Sequence, residues 1–434
     1  MSAVSQRVRS KDLNIDVHHL ARVEGHGNIK VSVRDGVLEE VKFEIPESPR
    51  FFEAMLRGRS YAEASHITSR VCGICAVGHA TTSLKATEAA LGVQPSEQTV
   101  LLRKVIFDGE MIESHVLHVY FLAAPDALGV GSVIPLATTH PEVVKRALRL
   151  KKLGNDLSGV LVGRKIHPIS MIVNGFTHLP TVRELRELRQ RLLDAIPDLQ
   201  ASVELFQTLR LPEFERETEY LALRCSDGYA FYDGDIVSTD GGVTPVSQYR
   251  TVVREKVVPH STAKHCWSSR GSYMVGALAR FNNNSAQLRP LASKAAEDLG
   301  LKAPCYNPFL NTVAQLVETV EAVEDGIESI DKLLERGIGE EDTRVEVRAG
   351  LGAGATEVPR GTLYHEYELD AKGLIVGANL IIPTGQNMAN IEADMRALVP
   401  TLLDRPKPEI ELTLEMLVRA YDPCISCSVH LVEL

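Results

Sequence analysis

Two cysteine pairs near opposite ends of the chain constrain the fold more than any other sequence feature. The first pair is Cys72-Gly-Ile-Cys75, and the second is Cys424-Ile-Ser-Cys427, 349 positions further along. A spacing of two residues lets neighbouring thiolates turn toward one ion. If all four thiolates meet, the chain must fold back until its two ends share one site.

The two pairs could form a structural zinc site, a redox metal centre, a thioredoxin-like redox pair, or no common site at all. A structural zinc site uses two such pairs, but it normally closes over a short loop, and a chain of 434 residues has no need of a local clip. A thioredoxin-like redox pair requires a strand-to-helix pattern with its usual neighbours, which neither pair has. Four thiolates without further protein charge suit a soft, redox-capable transition metal such as nickel.

Composition excludes several classes of function. A formal net charge of −10 and a pI near 5.8 argue against a nucleic-acid-binding surface. The sequence contains no apolar run of membrane-spanning length, and its N-terminus lacks a charged segment followed by an apolar core, so we expect a cytoplasmic protein without a membrane span. Seven cysteines give no disulfide framework, and the isolated Cys225, Cys266 and Cys305 are predicted to be packed thiols.

The apolar patterns predict an α+β fold that is mainly helical. Residues 13–45 alternate in polarity around the hairpin turn Arg34-Asp35-Gly36, and residues 218–262 are rich in strand and turn signals. Helical patterns cover residues 76–91, 97–122, 141–163, 181–210, 286–300, 311–337 and 387–404. We expect a central bundle of long helices with small peripheral sheets, forming one domain over residues 1–434.

The residues around both cysteine pairs resemble a known family. Arg70-Val-Cys-Gly-Ile-Cys-Ala-Val-Gly-His79 and Asp422-Pro-Cys-Ile-Ser-Cys-Ser-Val-His430 are similar to the two metal-binding motifs of nickel–iron hydrogenase large subunits. The resemblance extends over nearly the whole chain. The last residues, through Leu434, are most similar to the alpha subunits of the cytoplasmic, NAD(P)-coupled sulfhydrogenases.

The resemblance implies a catalytic subunit with the nickel–iron hydrogenase large-subunit fold, which cleaves H2 reversibly and heterolytically into protons and electrons. It implies that Cys72 and Cys424 are terminal nickel ligands, and that Cys75 and Cys427 bridge nickel to an iron carrying cyanide and carbon monoxide. His79 is expected to hydrogen-bond a bridging sulfur and tune it.

The segment Arg22-Val-Glu24-Gly-His26 has two readings. A charged and an imidazole side chain between glycines are typical of a solvated turn. The resemblance instead makes this segment the first family motif, with Glu24 beside the nickel as the proton relay. A buried carboxylate can accept a proton and pass it on near neutral pH.

A magnesium ion is implied by resemblance alone. Glu53 lies 19 positions before Cys72 and would pass for an ordinary helix glutamate. In related large subunits an acid at the matching place binds magnesium together with the C-terminal histidine, here His430, and the carbonyl of the residue matching Leu380. Carboxylate and carbonyl oxygens suit that hard ion.

A phosphate-binding loop is one interpretation of the glycine-rich stretch from Gly352-Ala-Gly354 through Pro359-Arg360-Gly361. No Gly-Lys-Ser/Thr follows, so that signal is weak. The resemblance places the Arg360 guanidinium above the open nickel–iron position, where its donors could polarise a bound molecule. It also makes Pro359, Pro383 and Thr384 pocket residues, with the Thr384 hydroxyl serving a cyanide.

His115 and His118 lie three positions apart on one helical face, and we interpret them as packing and hydrogen-bonding residues because nothing completes a metal site. Many family members carry an aspartate immediately before the first of these histidines, whereas this chain has Ser114. The local charge arrangement is therefore expected to differ, without loss of metal binding.

Electrons need partner subunits, because three isolated cysteines cannot hold an iron–sulfur cluster. The resemblance implies an iron–sulfur small subunit and further flavin subunits of an NAD(P) diaphorase. It also implies nickel-insertion factors and a maturation protease that removes residues 431–434, so that the mature chain ends at His430.

Three rival functions remain from the sequence. One is a hydrogenase coupled to another acceptor, such as coenzyme F420 or a heterodisulfide reductase. A redox-inactive quinone-reductase-like subunit is disfavoured by the four cysteines. A zinc-stabilised interaction protein would leave Glu24, Glu53 and Arg360 without a shared purpose.

Overall fold

The computed structural model of the protein describes residues 12–429. His430 and the segment 431–434 lie outside the described residues, so the predictions that concern them are not addressed by the fold. Within residues 12–429, no helix is both long and apolar enough to cross a membrane.

Helices form most of the regular structure. In chain order they are α1 (Phe52–Leu56), α2 (Ala64–Thr68), α3 (Ala76–Leu91), α4 (Glu97–Val116), α5 (Ala124–Ala127), α6 (Leu136–Thr139), α7 (Pro141–Val162), α8 (Val182–Gln207), α9 (Ala277–Asn284), α10 (Pro290–Asp298), α11 (Asn311–Arg336), α12 (Pro383–Leu402), α13 (Lys407–Ala420) and α14 (Ile425–Ser428). A π-helical segment, Leu117–Ala123, continues α4.

The strands belong to five small sheets. In chain order they are β1 (Leu13–Val17), β2 (Asn28–Arg34), β3 (Val37–Glu44), β4 (Met171–Ile172), β5 (Gly175–Phe176), β6 (Glu219–Arg224), β7 (Asp235–Ser238), β8 (Val243–Thr244), β9 (Arg254–Val258), β10 (Ser261–Trp267), β11 (Tyr273–Met274), β12 (Gly350–Val358), β13 (Gly361–Leu369) and β14 (Ile375–Ile381). The α+β, mainly helical fold class expected from the sequence is confirmed.

The long helices α4, α7, α8 and α11 pack together as the central bundle, in agreement with the predicted ranges. Helix α8 begins where its sequence signals it, because Thr181 and Glu184 form a reciprocal capping box. Helices α4 and α7 approach closely: a Cβ on Gly154 would lie 2.5 Å from the carbonyl oxygen of Gly109. The bundle supplies part of one continuous apolar core, which also includes residues of the sheets and of the other helices.

The predicted N-terminal hairpin is present as β2 and β3, which pair antiparallel with β1 on the other side of β2. Asp35 and Gly36 both have positive φ angles, 50° and 76°, as the tight turn between two twisted strands requires. The strand-rich region 218–262 forms β6 to β9, which lie over a second, smaller apolar cluster.

The glycine-rich stretch after residue 349 is a strand rather than a loop. Strand β12 pairs antiparallel with β13, and β13 pairs with β14. A Cβ on Gly352 would lie 2.1 Å from the backbone nitrogen of Ala90, and one on Gly354 would lie 2.5 Å from that of Ala86. The glycines therefore allow β12 to lie directly against the backbone of α3, the helix that follows the first cysteine pair.

Candidate metal centre

The fold brings both cysteine pairs into one buried site. Cys72 and Cys75 lie at the start of α3, and Cys424 and Cys427 lie at α14. All four side chains are buried, and their sulfur atoms all lie within 4.8 Å of one another. The Sγ atoms of Cys72 and Cys424 are 3.7 Å apart, and those of Cys424 and Cys427 are 2.8 Å apart.

The first cysteine pair is held by backbone N–H groups close to it and by the start of helix α3. The sulfur of Cys72 accepts hydrogen bonds from the backbone N–H groups of Cys75 at 2.9 Å and Ile74 at 3.3 Å. Cys75 caps α3, as the sequence predicts, so the positive end of the helix dipole faces the site. Glu110 of α4 accepts from the first N–H groups of the helix, those of Val77 at 2.7 Å and Gly78 at 3.0 Å.

Glu24 holds the second pair from the other end of the chain. Its carbonyl accepts from the N–H of Ile425 at 2.9 Å, and its carboxylate accepts from the Ser426 hydroxyl at 2.6 Å and the Ser426 N–H at 3.1 Å. The Oε2 atom of Glu24 lies 3.1 Å from the Sγ of Cys424. A half-buried carboxylate therefore contacts one of the four sulfur atoms directly.

Arg50 ties the two cysteine segments together. Its guanidinium donates to the carbonyls of Val71 at 2.6 Å and Arg70 at 3.0 Å, just before the first pair, and to that of Ser426 at 3.2 Å within the second pair. Sequence reasoning missed this residue, because a single arginine 20 positions before Arg70 carries no local signal.

Arg360 lies at the two-residue turn between β12 and β13 and points its guanidinium at Asp422. Its Nε donates to the Asp422 carbonyl at 2.7 Å, and its Nη2 donates to the Asp422 carboxylate at 2.9 Å. Ser114, where an aspartate was expected by resemblance, accepts from Nη1 at 3.3 Å. Burial opposes the charge, but Asp422 and the nearby cysteines raise the pKa of Arg360 further above its ordinary value.

The turn that carries Arg360 rests on a buried arginine to which the sequence analysis gave no chemistry. Arg280 of α9 donates to the carbonyls of Val358 at 2.9 Å and Pro359 at 3.0 Å. It also pairs with the carboxylates of Glu318 at 2.6 Å and Glu357 at 2.9 Å. These contacts fix the position of the turn, and no local sequence pattern distinguishes Arg280 from a surface arginine.

Thr384 lies against the second pair. Its hydroxyl accepts from the N–H of Cys424 at 3.0 Å, which leaves the hydroxyl hydrogen free to donate elsewhere. Pro383 is the first residue of α12, where its missing N–H costs no helical hydrogen bond. Thr384 therefore lies in the first turn of α12, with its hydroxyl oxygen beside the backbone N–H of Cys424.

Glu53 and Leu380 lie side by side, as the magnesium prediction requires. The N–H of Leu380 donates to Oε1 of Glu53 at 3.1 Å. A cavity of about 470 Å³ lies beside Glu53. It is also lined by Glu255 and Lys264, whose side chains form an ion pair at 2.8 Å. His430, the third residue of that prediction, lies outside the described residues.

One side of the His79 ring contacts His365 of β13, and the contact of His79 with a cysteine sulfur stays a prediction. Nδ1 of His79 lies 3.3 Å from Nε2 of His365, whose own Nδ1 lies 2.9 Å from the Tyr367 hydroxyl. Burial lowers the pKa of His79 to about 4. His79 lies one turn after Cys75 on the face of α3 that packs on β13, and His365 meets it there.

The two histidines after Ser114 are hydrogen-bonded core residues, as interpreted from the sequence. His115 contacts Glu318 at 2.9 Å, and His118 contacts the carbonyl of Arg419 at 2.7 Å. Each of these partners is a protein group, and Nδ1 of His115 has no hydrogen-bond partner among the described residues.

The donor set fits a cationic metal centre. Burial raises the pKa of the Cys427 thiol to about 11, whereas hydrogen bonds from the neighbouring thiols hold the pKa of Cys72 below its ordinary value despite burial. Four buried thiols cannot all ionise unless a cation compensates their charge. The remaining cysteines are separate, and the sulfur of Cys225 donates to the carbonyl of Gly228.

Comparison with known proteins agrees with this geometry. A family model described as nickel-dependent hydrogenase matches residues 50–144 and 269–430, which include both cysteine pairs. The sulfhydrogenase 1 subunit alpha of Pyrococcus furiosus is 37% identical over 424 residues, covering 97% of this chain and 99% of that protein. The sulfhydrogenase 2 subunit alpha of the same organism is 32% identical, covering 97% and 100%.

Solved structures give the same result. An NAD+-reducing nickel–iron hydrogenase in the H2-reduced state superposes with a TM-score of 0.85 at 27% identity, covering 96% of this chain and 99% of that chain. A nickel–iron–selenium hydrogenase from Desulfomicrobium baculatum superposes with a TM-score of 0.66 at 23% identity, which is a likeness of fold.

Proposed function

Because the chain belongs to the nickel-dependent hydrogenase family and is the catalytic large subunit of such an enzyme, we propose that its buried four-cysteine site holds nickel and iron. The enzyme then cleaves H2 reversibly into protons and electrons. The observation that carries this proposal is the convergence of four sulfur atoms within 4.8 Å from two segments 352 positions apart.

Each cysteine has a proposed role. Cys72 and Cys424 would bind nickel, and Cys75 and Cys427 would bind both nickel and iron. When bound, the centre supplies the Lewis acidity and redox capacity for heterolytic cleavage, with cyanide and carbon monoxide on the iron. Thiolates are the soft donors that such a metal requires.

Glu24 is proposed to carry protons from the site. A proton held on the Cys424 sulfur has an acceptor 3.1 Å away in Oε2 of Glu24. That distance allows direct transfer without an intervening water. The Ser426 hydroxyl donates to the other carboxylate oxygen at 2.6 Å and so keeps the group aimed at the sulfur.

Arg360 is proposed to position and polarise the reacting molecule. The bonds to Asp422 and Ser114 use three of its five N–H groups and orient the guanidinium. The two remaining N–H groups belong to the same planar guanidinium, which is buried. A hydrogen bond from a charged donor to a bound molecule is strong in such a place. Thr384, with its hydroxyl hydrogen unused by Cys424, is proposed to donate to a cyanide.

A magnesium ion is proposed for the cavity beside Glu53. The Glu53 carboxylate, the Leu380 carbonyl and His430 would be its protein ligands. The adjacency of Glu53 and Leu380 supports this assignment.

Electrons are proposed to leave through an iron–sulfur small subunit and to reach NAD(P) through flavin-containing subunits. The similarity to sulfhydrogenase alpha subunits and to an NAD+-reducing hydrogenase supports this acceptor. Processing of residues 431–434 by a maturation protease stays a prediction.

The complex purified from its host under anaerobic conditions provides the test. Wild type should contain nickel and iron and should reduce NAD(P)+ with H2. Cys427→Ser should lose nickel and H2 activity, since a hydroxyl is a harder and less acidic donor than a thiol. Cys225→Ser is the matched control and should retain both, because serine can still donate to Gly228.

Three other results would redirect the proposal. Zinc in place of nickel and iron would indicate a structural site, and a metal-free chain would indicate a redox-inactive subunit. H2 oxidation with an artificial acceptor but not with NAD(P)+ would keep the metal site and overturn the proposed acceptor.

A further inference from the structure

A cluster of two imidazoles and one carboxylate lies outside the four-cysteine site. His260 lies in the turn between β9 and β10, His265 lies on β10, and Glu392 lies on α12. One ligand atom from each residue lies within 4.8 Å of the other two. The His260 and His265 rings meet edge to face with centroids 5.5 Å apart.

The cluster is distinct from the cavity beside Glu53. Successive side chains of a strand point to opposite faces, so His265 faces away from its neighbour Lys264, which lines that cavity. The three residues of the cluster do not line that cavity among the described residues. One face of β10 therefore borders the cavity beside Glu53, and the other carries His265 of the cluster.

His265 is the residue that protein contacts do not explain. Its side chain is 1% exposed, and its Nε2 atom has no hydrogen-bond partner among the described residues. A buried polar atom without a partner is costly and uncommon in native proteins. Burial also lowers the pKa of His265 to about 4, so the ring is neutral at pH 7 and can offer a lone pair.

The other two residues are arranged as a metal ligand pair would be before metal binds. Nε2 of His260 lies 2.7 Å from Oε1 of Glu392, and the backbone N–H of Phe43 donates to the same oxygen at 3.0 Å. Both side chains are 18% exposed, which gives an ion access from solvent. The Phe43 contact orients the carboxylate, as groups behind a metal ligand commonly do.

An ion pair between His260 and Glu392 is the simpler account of the cluster, and it explains two of the three residues. It leaves Nε2 of His265 without a partner among the described residues. A shared ion satisfies all three at once.

We propose that His260, His265 and Glu392 form a second metal site, which binds a divalent first-row transition ion through two imidazole nitrogens and one carboxylate oxygen. Zinc bound tetrahedrally at about 2.0–2.1 Å separates its ligand atoms by about 3.3 Å. Nε2 of His260 and Oε1 of Glu392 lie 2.7 Å apart and need only to separate slightly, and the ligand atom of His265 lies within 4.8 Å of both. Water completes the coordination on the exposed side.

The ion displaces the proton that Nε2 of His260 shares with Glu392. That proton passes to solvent or, through the other tautomer of the ring, to Nδ1, and Nε2 then coordinates the ion. The bound ion connects the β9–β10 hairpin to α12 and, through Phe43, to β3. Ala263, two residues before His265, bridges to Val429 next to the second cysteine pair, so the site braces the strand behind that pair.

Metal analysis of the purified complex tests the proposal. The complex is dialysed against zinc chloride, passed over a weak chelating resin, and assayed for zinc, nickel and iron per chain. Wild type should retain about one equivalent of zinc beyond that in His265→Gln and Glu392→Gln. Nickel, iron and H2 activity should be equal in all three. His140→Gln, which removes an exposed histidine away from the cluster, should retain the extra zinc.

Nickel can be tested at the same site. Dialysis against nickel chloride should raise the nickel content of wild type from about one to about two per large subunit, and that of the two cluster variants should stay near one.

Two further measurements address misfolding and non-specific binding. His260→Cys supplies another zinc ligand and should restore the extra equivalent that His260→Gln loses. Zinc should raise the melting temperature of wild type and leave that of His260→Gln unchanged. Equal zinc and nickel retention by wild type and all cluster variants would overturn the proposal and leave a hydrogen-bonded histidine pair.

Discussion

The two cysteine pairs have the same spacing but are held in place by different forces. The first pair is held locally, by the backbone of its own loop and by the start of the 16-residue helix α3. The second pair lies at a helix of four residues, and its position depends on Glu24 and Thr384 from distant parts of the chain, whereas Arg50 contacts both cysteine segments. The same motif is thus a local structure in one place and a tertiary structure in the other.

This difference predicts where the site is vulnerable. A substitution far along the chain can displace the second pair, whereas the first pair tolerates remote changes unless α3 itself moves. Variants at both pairs test that asymmetry, in order of decreasing expected effect.

Arg280→Leu should have the largest effect on stability. It leaves the buried carboxylates of Glu318 and Glu357 without their cation and frees the turn that carries Arg360. Removing one partner of a buried ion pair costs about 3–5 kcal/mol. Thermal melts should show the loss, and Arg183→Leu, which breaks an exposed pair on α8, should leave the melting curve unchanged.

The pH dependence identifies the cause of that loss. Burial opposes ionisation of Glu318, but Arg280 overrides it and lowers the pKa to about 2. The stabilisation from Glu318 is therefore present above its ordinary pKa near 4.5 and is lost as the pH falls from there toward 2. Without Arg280, burial raises that pKa instead, so the deficit of Arg280→Leu should widen from pH 5 to pH 8. A deficit equal at both pH values would contradict this account.

Glu24→Gln should show that the contact of Glu24 with the second cysteine pair matters for proton transfer. The amide keeps the shape of the side chain but cannot carry a proton at neutral pH, so H2 oxidation should fall about 100-fold or more while nickel and iron content stay normal. Glu24→Asp should retain part of the rate if water spans the missing methylene.

The matched control lies at the first pair. Burial raises the pKa of Glu110 well above its ordinary value, and its side chain accepts hydrogen bonds from N–H groups in the first turn of α3. Glu110→Gln keeps an acceptor for these groups and should therefore retain turnover. Wild-type turnover in a fully loaded Glu24→Gln enzyme would mean that protons leave by another path.

Gly352→Ala should damage the first pair through α3. The new methyl group would meet the backbone of Ala90 at 2.1 Å, and β12 would have to move away from the helix. Overpacking of this kind costs about 1–3 kcal/mol. Gly377→Ala, on β14 of the same sheet, meets only the side chain of the exposed Glu368 and should be far milder in a thermal melt. Equal losses in the two variants would mean that the close β12–α3 contact is not what matters.

Thr384→Val should have the smallest effect. Valine keeps the shape but removes the acceptor for the Cys424 N–H, at a cost of about 1 kcal/mol. Thr384→Ser restores an acceptor and should recover most of the melting temperature. Identical melts for Thr384→Val and wild type would show that the second pair does not depend on this contact.

The sequence predicts the local parts of this molecule well. The start of the helix after Thr181, the hairpin turn at Asp35-Gly36 and the helix opening at Cys75 all depend on residues within a few positions of one another, and each is present. These local features need no knowledge of distant contacts. The meeting of the four cysteines is implied by the resemblance of their flanking residues to a known family, because their spacing alone leaves it open.

The parts that sequence reasoning missed depend on distant partners. Strand β12 is rich in glycine, a poor strand former, and it is stabilised by its close approach to α3. Arg50 and Arg280 look like surface residues until the backbone carbonyls that they contact are known. The histidine cluster spans two elements more than 120 positions apart and has no motif.

The parallel bridge between Glu24 and Cys424 has a consequence for biosynthesis. Translation at about 5–20 residues per second separates the synthesis of Cys72 from that of Cys424, 352 residues later, by about 20–70 seconds. During that interval α3 can form, but its two thiols have neither the second pair nor β12 beside them. The nascent thiols are therefore exposed to oxidants and stray metal ions until the last stretch leaves the ribosome, and an incomplete chain cannot assemble the site at all.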